Sequence, residues 1–296
     1  MFKNNYTLKY NLREKDKINY KINSKIEYEN LIVKSEKEYE YKIEFQPLSK
    51  GIQNDFIIRN TRYDLKNFND KESDLEKISF EIDKTFLETD YRIDKKGKII
   101  KIENLSKLKT DWYNKKNEIL RKYEEQYEEI QDLVDGITKI LNNSDTVVQY
   151  FQNYGVNGIF FSELYGELYI EDNEKKKKIS IPNFITFFPL PLTLNIITKK
   201  INKMEDEMSL IIHGKLDEMR LDKLNIEEMV KANLPEEDIR GLKYEVEYEQ
   251  DVSFYLITGL VKNCNQIIEV KIYNKLDNKE LFKNRIEVKL EEIKEE

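Results

Sequence analysis

The chain is short of the residues on which most catalytic and cofactor chemistry depends. It has one cysteine, Cys264, and one histidine, His213, in 296 residues. A lone cysteine excludes an intrachain disulfide. A His-based triad, a two-His metal site and a Cys–His dyad all need partners that this composition hardly supplies. His213 lies between Ile212 and Gly214 in an alternating apolar run, and Cys264 reads as a small strand hydrophobe. Nine glycines, widely scattered, form neither the dinucleotide fingerprint nor a P-loop. The nearest approach, Gly155-Val156-Asn157-Gly158, lacks a preceding strand and a lysine and reads as a helix end and restart. There is no Gly-x-Ser-x-Gly elbow. No cofactor is expected.

Long apolar runs are missing too. Phe184 to Ile197 is the longest, and it is too short to span a bilayer and holds Pro189, Pro191 and Asn195. No transmembrane segment is expected. Met1 to Leu12 alternates polar and apolar residues without the apolar core of a signal peptide. The chain as it stands is expected to be cytoplasmic; the alternative is a periplasmic protein or lipoprotein whose signal has been removed. Cationic excess is absent as well: net charge is −7 with both signs interspersed, so nucleic acid is a poor partner. The one basic run, Lys175 to Lys178, follows Glu171, Asp172 and Glu174 and reads as a solvated hairpin tip. Nothing in the sequence assigns an oligomeric state.

What the chain has is period-2 alternation. Tyr6, Leu8, Tyr10 and Leu12 begin it; Ile18, Tyr20, Ile22, Ile26 and Tyr28 continue it; Tyr39, Tyr41, Ile43 and Phe45 give a third strand. One face buried and one face wet defines an antiparallel sheet. Pro47 to Gly51 reads as a turn, and Phe56 to Leu65 as a fourth strand. The stretch 72–88 fits either periodicity, though its length and acidic start (Glu72, Asp74) favour a helix. Tyr91 to Ile102 is a tight hairpin about Lys95-Lys96-Gly97.

A helical middle follows. Leu105, Leu108, Trp112, Ile119, Tyr123, Ile130, Leu133, Ile137 and Leu141 form one stripe, predicting a single helix of more than 30 residues capped by Asn104 or Ser106, with Gly136 as a possible bend. Ser144 is expected to cap a second helix ended by Gly155, and Asn157 to Tyr165 to form a short third. Glu167 to Ile170 and Lys178 to Ile181 read as a hairpin. The prolines at 189 and 191 argue against a regular central strand there. Met208, Leu210, Ile212 and Leu216 alternate, with a bulge expected at Gly214. Asn225 with Glu228 resembles a capping box, and a further helix is expected from Pro235 to Gly241. Strands return around Tyr244–Tyr248, Phe254, Ile268–Ile272 and Ile286–Leu290, with turns at Thr258-Gly259 and Leu276-Asp277-Asn278.

The order strands, helices, strands predicts an α+β protein: a long curved antiparallel sheet, built from N- and C-terminal strands, wrapping a central helical segment. With no linker and no repeat, 1–296 reads as a single domain: strands over 5–65, a hairpin at 89–102, helices over 104–165, strands over 166–220 and C-terminal strands over 242–293.

Carboxylates remain as possible chemistry. Glu245, Glu247, Glu249 and Asp251 share one strand face and read as its solvated side; Asp172-Asn173-Glu174 lacks the glycine and closing glutamate of a calcium loop. A hydrolase using paired carboxylates is the least favoured of three readings. The apolar concentration at Phe160, Phe161, Phe184, Phe187, Phe188, Leu190 and Leu192 is either ordinary core or a cleft for a ligand or partner.

The Tyr91-Arg-Ile-Asp-Lys-Lys-Gly-Lys-Ile-Ile-Lys-Ile102 hairpin, the following helix with Leu108 to Trp112, the Tyr255-Leu-Ile-Thr-Gly-Leu-Val261 turn and the long N-terminal strands together resemble the LolA/LolB-like lipoprotein carriers and related uncharacterised bacterial families. The resemblance implies a strongly curved sheet wrapping helices, with an apolar concavity that receives acyl chains. The chain departs from that family in its length, its charged helix and the absence of a lipobox cysteine, and no family binding residue transfers to it. The favoured expectation is a non-enzymatic binding protein that acts through contact with another protein, of the adaptor, chaperone, immunity or secretion-accessory type. The alternative is a carrier of a lipid or other apolar ligand in a cavity between sheet and helices.

Overall fold

The computed structural model describes residues 4–30, 34–51, 55–68, 74–125, 130–153, 155–234 and 239–294. It is α+β, dominated by one curved antiparallel sheet. The strands are β1 (Asn5–Thr7), β2 (Ile18–Asn30), β3 (Lys34–Lys50), β4 (Phe56–Asn67), β5 (Glu88–Ile93), β6 (Ile99–Ile102), β7 (Leu168–Ile170), β8 (Glu174–Ile185), β9 (Phe188–Asn202), β10 (Glu207–Leu216), β11 (Leu242–Tyr255), β12 (Val261–Asn274) and β13 (Glu280–Glu292). The helices are α1 (Asp74–Thr85), α2 (Leu105–Tyr123), α3 (Ile130–Asn142), α4 (Ser144–Asn153), α5 (Asn157–Phe160) and α6 (Lys223–Asn233). The main sheet runs β6-β5-β4-β3-β2-β13-β12-β11-β10-β9-β8, and β1 pairs separately with β7.

The join at the centre of the sheet is β2 with β13, where Ile22 faces Leu290 and Ile26 faces Ile286. Following the register outward places one alternating set on the inner face: Tyr20, Ile22, Ile43, Phe45, Val252, Cys264, Leu210 and Ile212 are all buried. The opposite set is charged. Glu247, Glu269, Arg285 and Glu27 stand in one row across β11, β12, β13 and β2. Arg285 sits 3.0 Å from Glu247, 3.2 Å from Glu269 and 2.6 Å from Glu287, so Glu269 is buried without being left unpaired. Period 2 thus holds across the sheet because each strand has an apolar and an aqueous side.

The inner face is filled at one end by α1 to α5 and the N-terminal segment. Leu8, Tyr10 and Leu12 are buried there, but only residues 5–7 of their run are strand, since β7 is too short to offer more partners. The expected single long helix is two helices, with 126–129 outside the described residues. α2 and α3 pack side by side, tied by a 2.9 Å bond from Trp112 Nε1–H to Thr138 Oγ1 and a 3.1 Å bond between Asn142 and Tyr113. The expected stripe turns inward on both helices except at Leu133, which is exposed while its neighbour Val134 is buried. Residues 74–85 are helix, and Ile78 and Ile82 enter the core.

Several local expectations are corrected. Pro47 is buried within β3 opposite Ile58; a register shift between Pro47 and Ser49 absorbs the missing donor. Pro189 and Pro191 lie inside β9. The Pro191 carbonyl accepts from Asp217 N–H, so its ring nitrogen faces the side where β10 has already ended at Leu216, and no ladder bond is lost. The β10 irregularity falls at Ser209/Leu210, not Gly214; Gly214 is required because a Cβ would come within 2.7 Å of Tyr248. α4 is capped by Asn143, whose Oδ1 accepts from the backbone of Asp145 and Thr146 at 3.0 Å, rather than by Ser144. The cap of α6 is Asp222, which accepts from Asn225 N–H. The third helix of the middle is only Asn157–Phe160. β7 pairs with β1 instead of β8. Lys175 to Lys178 lie along the edge strand β8, with Lys175 paired to Glu167 and Lys178 to Asp217 at 3.0 Å. Charged edge strands resist pairing with other chains. Of the helix expected from Pro235 to Gly241, residues 235–238 lie outside the described residues and 239–241 are not helical.

Candidate functional site

The seven apolar candidates divide between two places. Phe160 and Phe161 are fully buried where the helices meet the sheet. Their rings pack against Tyr20, Phe45 and Tyr91 at centroid separations of 5.0 to 6.1 Å. Tyr10 Oη–H donates to the Phe160 carbonyl and Gln152 to that of Phe161, so side chains and backbone are both committed to the interior. Phe184, Leu190 and Leu192 are buried in β8 and β9 at the far end of the strand order.

Phe187 and Phe188 differ. They form the β8–β9 tip, a two-residue turn at Thr186 and Phe187 in which Thr186 has φ +57° and Ile185 faces Phe188. The two rings stack obliquely 4.6 Å apart. Phe188 is half-buried against the core, whereas Phe187 is 63 % exposed. The tip is held from beneath: Asn284 Nδ2–H on β13 donates to the Phe184 carbonyl at 2.8 Å.

Beside the tip lies a recess of about 110 Å³ lined by Thr186, Met229, Leu234, Leu281, Phe282 and Asn30. β13 supplies its floor, β2 one end, and α6 its wall. α6 is placed by Ile226 and Val230, which enter the core and turn Met229 to the recess. These lining residues were not candidates in the sequence. Met229 and Leu234 flank the apolar face of a helix and carry no periodic signal of their own, and Leu281 breaks the alternation of β13.

The isolated chemical groups stay apart. His213 is on the charged outer face with Nδ1 3.8 Å from Glu249, while Cys264 is inside. Burial pushes the Cys264 thiol up to about 12. It joins an inner-face chain of polar groups: Gln250 Nε2–H approaches Cys264 Sγ at 3.5 Å, and Tyr248 Oη–H donates to Gln250 Oε1 at 2.8 Å. Glu247 is engaged by Arg285. Among the described residues no group of three or more His, Cys, Asp or Glu side chains is placed to hold a metal ion, and no helix is long and apolar enough to cross a membrane.

No family model matches the chain, and no curated protein matches it. The chain is therefore classed by its structure alone: an α+β protein whose curved sheet packs against its own helices and carries an exposed aromatic tip at one end.

Proposed function

We propose that the chain is a non-enzymatic binding protein that docks a partner protein on the β8–β9 tip and the recess beside it. The observation that carries this is Phe187, an aromatic ring 63 % exposed, supported by Phe188 and bordering an apolar hollow. Exposed aromatics on a rigid support, next to a hollow sized for a side chain, are the usual anchors of protein interfaces. The recess volume of about 110 Å³ favours a partner over a ligand. Pockets that enclose small molecules run to roughly 300–1,000 Å³, so this one suits a single apolar side chain better than an acyl chain.

The test is Phe187→Asp. The exposed position predicts an unchanged circular-dichroism spectrum and unchanged urea midpoint, with loss of the protein that the Phe187 chain captures when both chains carry a photo-crosslinker at position 233 in the recess lining. If wild type and variant capture the same protein equally, the tip is not the docking surface. Native mass spectrometry addresses the carrier reading: a co-purifying adduct of lipid mass would replace protein docking with ligand carriage.

A further inference from the structure

At the other end of β9, 14 residues and roughly 45 Å along the strand from Phe188, the strand ends of the sheet form a continuous rim. The β5–β6 turn, 94–98, lies against the N-terminal segment, where Gly97 packs on the Tyr10 ring. That segment is bonded to the β11–β12 turn: Asn11 N–H donates to the Thr258 carbonyl at 3.0 Å and Asn11 Nδ2–H to the Ile257 carbonyl at 3.1 Å. The β11–β12 turn is bonded in its turn to the β9–β10 turn, with Ile257 N–H donating to Asp206 Oδ1 at 2.7 Å. Four connections that are remote in sequence thus make one fixed surface.

The rim joins two properties. Its first half is cationic in a chain of net charge −7. Residues 8–16 and 94–98 carry Lys9, Arg13, Lys15, Lys95, Lys96 and Lys98 against Glu14, Asp16 and Asp94. Asp16 is spent on Arg13, and Asp94 accepts the backbone N–H groups of Lys96 and Lys98 at 2.8 and 3.0 Å. The five lysines are exposed, with no carboxylate in ion-pair range among the described residues. Its second half projects bare apolar side chains: Met204 is 98 % exposed and Ile257 59 %. Lysines alone would suit any polyanion. Apolar tips beside them gain nothing from a phosphate backbone but gain burial at the boundary of headgroups and acyl chains.

We propose that this rim seats the protein on an anionic lipid surface, with Met204 and Ile257 entering the headgroup boundary and Lys9, Lys95, Lys96 and Lys98 facing the anionic headgroups. Attraction of this kind acts within a Debye length and weakens with salt. The surface is distinct from the Phe187 tip and does not depend on the docking reading.

The experiment is co-sedimentation of the full chain with phosphatidylcholine vesicles, with and without phosphatidylserine, at low and high salt. Wild type is expected to pellet with the phosphatidylserine vesicles, to be released by salt, and to stay in solution with phosphatidylcholine alone. The combined Lys95→Glu, Lys96→Glu, Lys98→Glu variant is expected to lose binding about tenfold or more, as each basic residue contributes separately near the surface. The combined Met204→Ser, Ile257→Ser variant, with all charges kept and its fold checked by circular dichroism, is expected to lose binding several-fold. Wild type that fails to pellet on phosphatidylserine vesicles overturns the proposal, as does undiminished binding by the lysine variant. So does a serine variant that binds as wild type does, which would make the rim a site for soluble polyanions such as RNA.

Discussion

Asn284 on β13 holds the backbone carbonyl of Phe184 at 2.8 Å, tying the middle of the sheet to the hairpin at its edge. This bond reaches across four intervening strands in the sheet order and fixes the β8–β9 tip against the body. Asn284→Ala is expected to cost about 1 kcal/mol, the net value of one such hydrogen bond. Hydrogen exchange should accelerate selectively at residues 183–188. A uniform acceleration across the sheet would show that the bond supports the fold at large rather than the tip.

The divided aromatic cluster separates by stability. Phe160→Ala removes a ring from a filled interior and is expected to destabilise the protein by about 3–5 kcal/mol. Phe187→Ala removes a ring mostly in water and is expected to stay within about 0.5 kcal/mol of wild type. Urea unfolding of the two variants provides the comparison, and equal losses would contradict the burial difference.

That division marks where the sequence stops being legible. The inner and outer faces of β2, β3, β11 and β13 were readable, because alternation reports a local property: whether one side of a strand meets water. Phe160 and Phe188 stand close in the chain, but their neighbourhoods are set by which strands pair. The order that places β9 far from β4 and β5 arises from contacts between residues hundreds of positions apart. The prolines of β9 mislead for a related reason. A missing N–H matters only when an acceptor stands opposite, and the end of β10 at Leu216 cannot be seen from Pro189 and Pro191 themselves. The long helical stripe concealed a chain reversal since both α2 and α3 turn apolar residues to the same interior.

Glycine at 214 and 259 is a steric requirement that substitution exposes. Gly214→Ala would place a Cβ 2.7 Å from that of Tyr248, an overpacking worth about 1–3 kcal/mol. Gly259→Ala would drive a Cβ into the Lys9 carbonyl at a φ of +74°, which L side chains rarely adopt. Thermal unfolding is expected to show both as destabilised, with the N-terminal segment cleaved by protease sooner in the Gly259 variant only.

Stability should fall towards both extremes of pH, from different groups. The Cys264 thiol is raised by burial from 9.0 to about 12, so its contribution is complete below pH 9 and is lost as pH rises towards 12. The Glu27 carboxylate, bonded by Lys283 and Lys25, is lowered from 4.5 to about 2; its contribution is complete above pH 4.5 and is lost as pH falls towards 2. Cys264→Ala should flatten part of the alkaline loss, and Glu27→Gln part of the acid loss, in urea midpoints measured across pH. Native protein at pH 8 should leave a thiol reagent unreacted until denaturant is added.

The pairing of Ile22 with Leu290 has a consequence for synthesis. On the ribosome, β2 emerges before β13 by about 250 residues, so the nascent chain carries an unfinished sheet edge at β2 throughout the synthesis of the strands between them, joined by a second at β12 once that strand has formed. Each is long and apolar on one side, the kind of surface that aggregates or recruits chaperones. Closure is a single late event that unites the halves, and its long sequence separation makes it slow. A chain released before β13 is complete would hold most of its strands and none of the seam that joins them.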